Sequence, residues 1–70
     1  MAQVKSEMTG TVLSISVKVG DKVKSGQEVA ILESMKMEVP LTSSVSGTVS
    51  KVLKNTGDFV NEGDAVLELS

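Results

Sequence analysis

The six glycines of this chain fall into three pairs with one common offset of 37 residues: Gly10 with Gly47, Gly20 with Gly57, and Gly26 with Gly63. No other feature restricts the fold as strongly. Superposing 10–33 on 47–70 gives nine identities in 24 positions, the glycines being joined by Thr11/Thr48, Val12/Val49, Asp21/Asp58, Val23/Val60, Val29/Val66 and Leu32/Leu69. Chance matching in a Val- and Gly-rich chain gives roughly two or three, so an internal duplication is the better account. Each copy reads Gly-Thr-Val, a β-rich run, Gly-Asp-x-Val-x-x-Gly and a second apolar run.

The Gly-Asp steps are turn chemistry, because glycine adopts positive φ freely and the Asp carboxylate bonds neighbouring backbone. Between Gly10 and Asp21, Leu13, Ile15, Val17 and Val19 alternate with Ser14, Ser16 and Lys18. That period of two marks a half-buried strand. The matching run 50–55 alternates less cleanly and assigns no faces. Valine, threonine and serine content and the recurrent glycines disfavour helix. The chain therefore reads as one domain, 1–70, with eight short strands at about 2–6, 10–19, 21–24, 28–34, 37–42, 46–54, 58–61 and 65–70. Turns at this spacing predict a small sandwich or barrel. A duplicated four-strand unit adds two-fold pseudo-symmetry about a single core.

Composition removes most kinds of chemistry. Cysteine and histidine are both absent, which excludes disulfide staples, thiolate sites and the usual catalytic base. Carboxylates alone can hold a hard cation, but no Asp-rich loop of EF-hand spacing is present. A net charge of −2 without any arginine argues against nucleic-acid binding. No apolar run approaches the ~18 residues that a bilayer span requires, and no leader-like segment opens the chain, so neither a membrane partner nor export is expected. The expected location is the cytoplasm. Twelve valines and a single aromatic residue, Phe59, argue against an autonomous enzyme pocket.

The repeat also serves as a ruler. Glu33 aligns with Ser70, and Glu38 lies 37 positions beyond Met1, so Ser34–Met37 occupies in one half the place where the other half has its chain ends. Residues 28–34 and 37–42 should form a hairpin with Met35-Lys36 at its tip, and the termini should meet at the opposite end of the domain. A two-residue connection suits a tight hairpin, although Met-Lys lacks the usual Asn-Gly chemistry. Pro40 is tolerable there on an edge strand or at a bulge. An exposed lysine is ordinarily a solubility device. Here two methionines flank it, and at a hairpin tip they cannot serve as core filler; they make an adaptable apolar patch for a partner. Glu33 and Glu38 read equally as a solvated acidic rim or as a recognition element. A solvated amine is almost wholly protonated at neutral pH and a poor nucleophile, so a group attached to it has to be installed by an enzyme.

The segment Glu33-Ser34-Met35-Lys36-Met37 matches Glu-[Ala/Ser]-Met-Lys-Met, and by it the chain resembles the biotinyl domains of biotin carboxyl carrier proteins. Val29–Leu32 before the motif, the Gly-Asp turns and the closing GDFVNEGDAVLEL extend the resemblance over the whole chain, which is most similar to small stand-alone biotin/lipoyl attachment proteins. The resemblance implies an all-β fold: a flattened β-barrel, or barrel-sandwich hybrid, of two four-stranded antiparallel sheets with two-fold pseudo-symmetry. It implies biotin joined by an amide to Lys36, installed by a biotin protein ligase through biotinyl-AMP. Met35 and Met37 match flanking positions that tune ligase recognition and the carrier's later reactions, and Glu33 matches a glutamate read by the ligase. The non-catalytic carrier, expected to be a monomer, would move carboxylate between biotin carboxylase and carboxyltransferase sites. The direct turn Val19–Lys22 leaves no room for the protruding thumb of some relatives, and no Ala/Pro-rich linker precedes the domain, as expected for a naturally minimal protein or an excised domain. Lipoyl domains use the same hairpin lysine in an Asp-Lys-Ala setting. The methionines favour biotin, with lipoate as an alternative or additional cofactor. A purely structural barrel-sandwich module, as in membrane-fusion adaptors, would need no modifiable lysine.

Overall fold

The computed structural model describes residues 2–70. Eight strands follow one another: β1 (Ala2–Lys5), β2 (Gly10–Ile15), β3 (Lys22–Val23), β4 (Glu28–Ser34), β5 (Met37–Thr42), β6 (Gly47–Val52), β7 (Phe59–Val60) and β8 (Ala65–Leu69). They form two four-stranded sheets, ordered β1-β8-β6-β3 and β5-β4-β2-β7, in which every pairing is antiparallel. This is the flattened barrel-sandwich that the family resemblance implies. Shifting numbers by 37 converts one sheet into the other, β5 answering to β1, β4 to β8, β2 to β6 and β7 to β3. Each sheet thus takes two strands from each half of the chain.

The turns repeat the relationship bond by bond. Ser6 N–H donates to the Asp64 carbonyl at 2.8 Å, and Ser43 N–H donates to the Gln27 carbonyl at 2.9 Å. Val12 N–H donates to Asp58 as Val49 N–H does to Asp21. The Oδ2 of Asp21 accepts from Lys18 N–H, and that of Asp58 from Asn55 N–H, which is the turn chemistry the Gly-Asp steps advertise. The side-chain bonds are local to each half, but the four backbone bonds cross between halves, so neither half has a complete sheet or a complete set of turns by itself.

The core obeys the same rule. Among the described residues, the buried hydrophobic side chains resolve into six pairs: Val4/Leu41, Val12/Val49, Val23/Val60, Val29/Val66, Ala30/Leu67 and Leu32/Leu69. Full burial of a valine or leucine contributes roughly 1.5–3 kcal/mol, so a chain of this size depends on all of them. The two buried polar residues, Ser6 and Ser43, are also counterparts. Each hydroxyl donates to the carbonyl two residues on and accepts from the N–H of the same residue, which removes the cost of burial.

Strand β2 is shorter than expected, although the alternation holds from Leu13 to Lys18: Leu13, Ile15 and Val17 are half-buried, and Ser14, Ser16 and Lys18 are exposed. It ends at Ile15 rather than near residue 19, and the core position is Val12, with Leu13 only half-buried and Val19 62% exposed. A bulge lies at Leu13: the β2–β4 register shifts between Val12 and Ser14, and the β6–β8 register shifts likewise between Val49 and Lys51. An extra residue reverses the faces beyond it, so the inward set passes from Val12 to Leu13, Ile15 and Val17. A second pair of bulges leaves Val29 and Val66 unpaired in their ladders, and both are fully buried beside an equally buried neighbour, Ala30 or Leu67.

Candidate functional site

Strands β4 and β5 form a hairpin in which Leu32 pairs with Val39, Glu33 with Glu38 and Ser34 with Met37. Met35 and Lys36 alone connect them, with φ of 53° and 64°. Positive φ at both central residues is what a two-residue type I′ turn requires, and its twist matches that of the flanking strands. For side chains other than glycine the left-handed region costs about 1–2 kcal/mol per residue. The fold therefore holds a methionine and a lysine where Asn-Gly would be easier. Met35 is 92% exposed and Met37 65%, and Lys36, Glu33 and Glu38 are exposed as well. The segment buys almost no burial, so its composition is not explained by packing.

Gly10 packs against the tip end of this hairpin. A Cβ built on Gly10 would lie 2.5 Å from the Glu33 carbonyl oxygen and 3.6 Å from Ser34 Cβ. Only a residue without a side chain lets β2 approach the end of β4 this closely. The repeat places Gly10 at a strand start, but it does not show the close approach to Glu33. The available signal is that Gly10 and Gly47 precede Thr-Val at a strand start, whereas the other four belong to the Gly-Asp-x-Val-x-x-Gly segments.

One transverse row crosses the outer surface of the hairpin sheet. Glu38 pairs with Glu33, Glu33 with Thr11, and Thr11 with Phe59. Two like charges directly opposite oppose pairing by a few tenths of a kcal/mol. Phe59, 60% exposed, closes the row on β7. Sequence reasoning brings Glu33, Met35, Lys36, Met37 and Glu38 to the hairpin, and the structure places all five there; Phe59 it does not connect with them.

Chemically the site presents a primary amine at the tip of a small rigid body. Among the described residues no group of three or more His, Cys, Asp and Glu is arranged to hold a metal ion. A group linked to Nζ of Lys36 would stand clear of the body, and no element of the fold would have to move to admit it.

Residues 2–69 match the family described as Biotin-requiring enzyme, the biotin/lipoyl attachment domain. The fold and this match together define a biotin carrier domain. The chain belongs to the biotin/lipoyl attachment family. It is 57% identical over 67 residues to the biotin/lipoyl attachment protein of Bacillus subtilis (strain 168), covering 96% of this chain and 92% of that one. It is 46% identical over 65 residues to the mitochondrial propionyl-CoA carboxylase alpha chain of Homo sapiens, covering 93% of this chain but only 9% of that protein. The urea carboxylase of Kluyveromyces lactis contains the same fold, with a TM-score of 0.89 at 38% identity over 99% of this chain and 6% of its own.

Proposed function

We propose that Lys36 is the residue of this carrier that takes biotin, as an amide through Nζ. The observation that carries this reading is the strained two-residue turn that holds Lys36 exposed between Met35 and Met37. A biotin protein ligase would deprotonate Nζ and present biotinyl-AMP. The nitrogen attacks the acyl carbon, the new C–N bond replaces the C–O bond to phosphate, and AMP leaves. Glu33, Met35 and Met37 are the residues the ligase reads around the lysine. When bound, biotin supplies a ureido nitrogen that carries carboxylate between a biotin carboxylase and a carboxyltransferase.

The chain's own part is mechanical. It holds the amine at the end of a stiff hairpin, leaves the adduct accessible, and replaces free diffusion of a cofactor by a tethered, high effective concentration. It makes and breaks no bonds itself, and works as a monomer in the cytoplasm. The name of the Bacillus subtilis relative favours lipoate as a second occupant of the same lysine. Expression with both cofactors, followed by intact-mass analysis and avidin capture, separates the readings. Wild type should gain biotin, and Lys36→Arg should gain neither cofactor while melting at the same temperature. A lipoyl mass with no biotin mass would overturn the assignment, and a label persisting in Lys36→Arg would overturn the site.

A further inference from the structure

The repeat gives most positions at the lysine-bearing end a counterpart at the other end, so demands beyond folding show where counterparts differ. Phe59 is such a place. It is the only aromatic residue of the chain, and its counterpart is Lys22. Both pair with a threonine in the same register, Phe59 with Thr11 and Lys22 with Thr48, and both precede a fully buried valine. The fold thus accepts a lysine at this position and has no need of a phenyl ring left 60% exposed. Single exposed apolar residues are common, but this one shares a row with Glu33 and Glu38 on the sheet that ends in Lys36. Two strand spacings separate it from Glu33, about 10 Å.

We propose that this outer face, with Phe59 as its apolar anchor and Glu33 and Glu38 as its charged rim, is the surface on which the ligase docks to acylate Lys36. The inference rests on the reading of Lys36 as the acylated residue. Charge complementarity identifies the occupant. An enzyme that holds an acyl-adenylate must grip a phosphate, which takes lysine, arginine or helix N-termini, and the mouth of its site is correspondingly positive. The row opposes two carboxylates to that mouth, whereas the counterparts of Glu33 and Glu38 are Ser70 and Met1. Size supports the same partner. A stable interface covers about 800 Å² per side, roughly a fifth of the 4256 Å² surface here, so a footprint centred on Lys36 reaches Phe59.

The test is steady-state biotinylation of the full chain by purified biotin protein ligase, with ATP and biotin, for wild type, Phe59→Ser and the mirror control Lys22→Ser. Loss of the aromatic anchor should lower kcat/KM by about fivefold or more through KM, with kcat at saturation retained. The Lys22→Ser control should match wild type, melting temperatures should stay together, and added salt should lower the wild-type kcat/KM. Equal KM values for wild type and Phe59→Ser would overturn the inference while leaving Lys36 as the site. A wild type that takes no label would overturn both. Unchanged ligation with lost capture by a carboxylase, or with lost self-association, would assign the face to another partner and equally overturn it.

Discussion

Gly10 shows how much of the site rests on one missing atom. Its counterpart Gly47 provides an internal comparison, since a Cβ there would meet Leu69 Cβ and the Ser70 oxygen at 3.1 Å rather than a carbonyl oxygen at 2.5 Å. Gly10→Ala should therefore destabilise the domain by about 1–3 kcal/mol, as overpacking does. Gly47→Ala should cost less, because contacts at 3.1 Å require the neighbours to give by only a few tenths of an ångström. Chemical denaturation midpoints check the order, and equal losses would show that the approach of Gly10 to Glu33 is not the tighter one. The two glycines are identical letters in the repeat, and only three-dimensional proximity separates one from the other.

At the scale of elements, the hairpin was legible and its strain was not. The offset of 37 places a turn at Met35-Lys36, and the alignment of the opposite half with chain ends explains why that turn stands alone. Nothing in the letters Met and Lys announces positive φ, since both residues normally avoid it. Pro40 was legible as an edge residue, and it lies on β5, the outermost strand of its sheet. The bulge at Leu13 was not legible, because a bulge is a property of two paired strands, whereas alternation is read from one. Relief of the strain provides a measurement. Met35→Asn, which suits left-handed backbone, should stabilise the domain by about 0.5–1 kcal/mol with Lys36 untouched. If the denaturation midpoint does not rise, the turn is not under load at position 35.

For the whole molecule, the duplication predicts the fold almost completely, because each buried residue has a partner 37 positions away. It predicts function only where it fails. Lys36 has no counterpart, and Phe59 has one of different chemistry. Circular permutation puts these statements to work. Ala2 pairs with Leu69, so a four-residue Ser-Met-Lys-Met connector between Ser70 and Met1, the equivalent of Ser34–Met37, should close a second hairpin, with new ends opened between Met35 and Lys36. The permutant should keep the fold, with a melting temperature within several degrees of the parent, as calorimetry or circular dichroism would show. Its connector lysine should be a much poorer ligase substrate than Lys36, because Ser70, Thr48 and Lys22 surround it in place of Glu33, Thr11 and Phe59. Equal labelling would show that the turn alone is read.

The pairing of Ala2 with Leu69 has one more consequence. Gly47 touches Leu69 and Ser70, and the loop before it is bonded to Gly26 and Gln27, at the start of the seven-residue strand that ends in Ser34. The paired end residues Ala2 and Leu69 and the amine of Lys36 therefore occupy opposite poles of a body 32 Å long and 19 Å across. For any chain joined at the Ala2–Leu69 pole, that junction is a pivot and the body itself is the boom of a crane. A small change of angle at the pivot becomes a long lateral excursion of the amine, without one internal contact being disturbed.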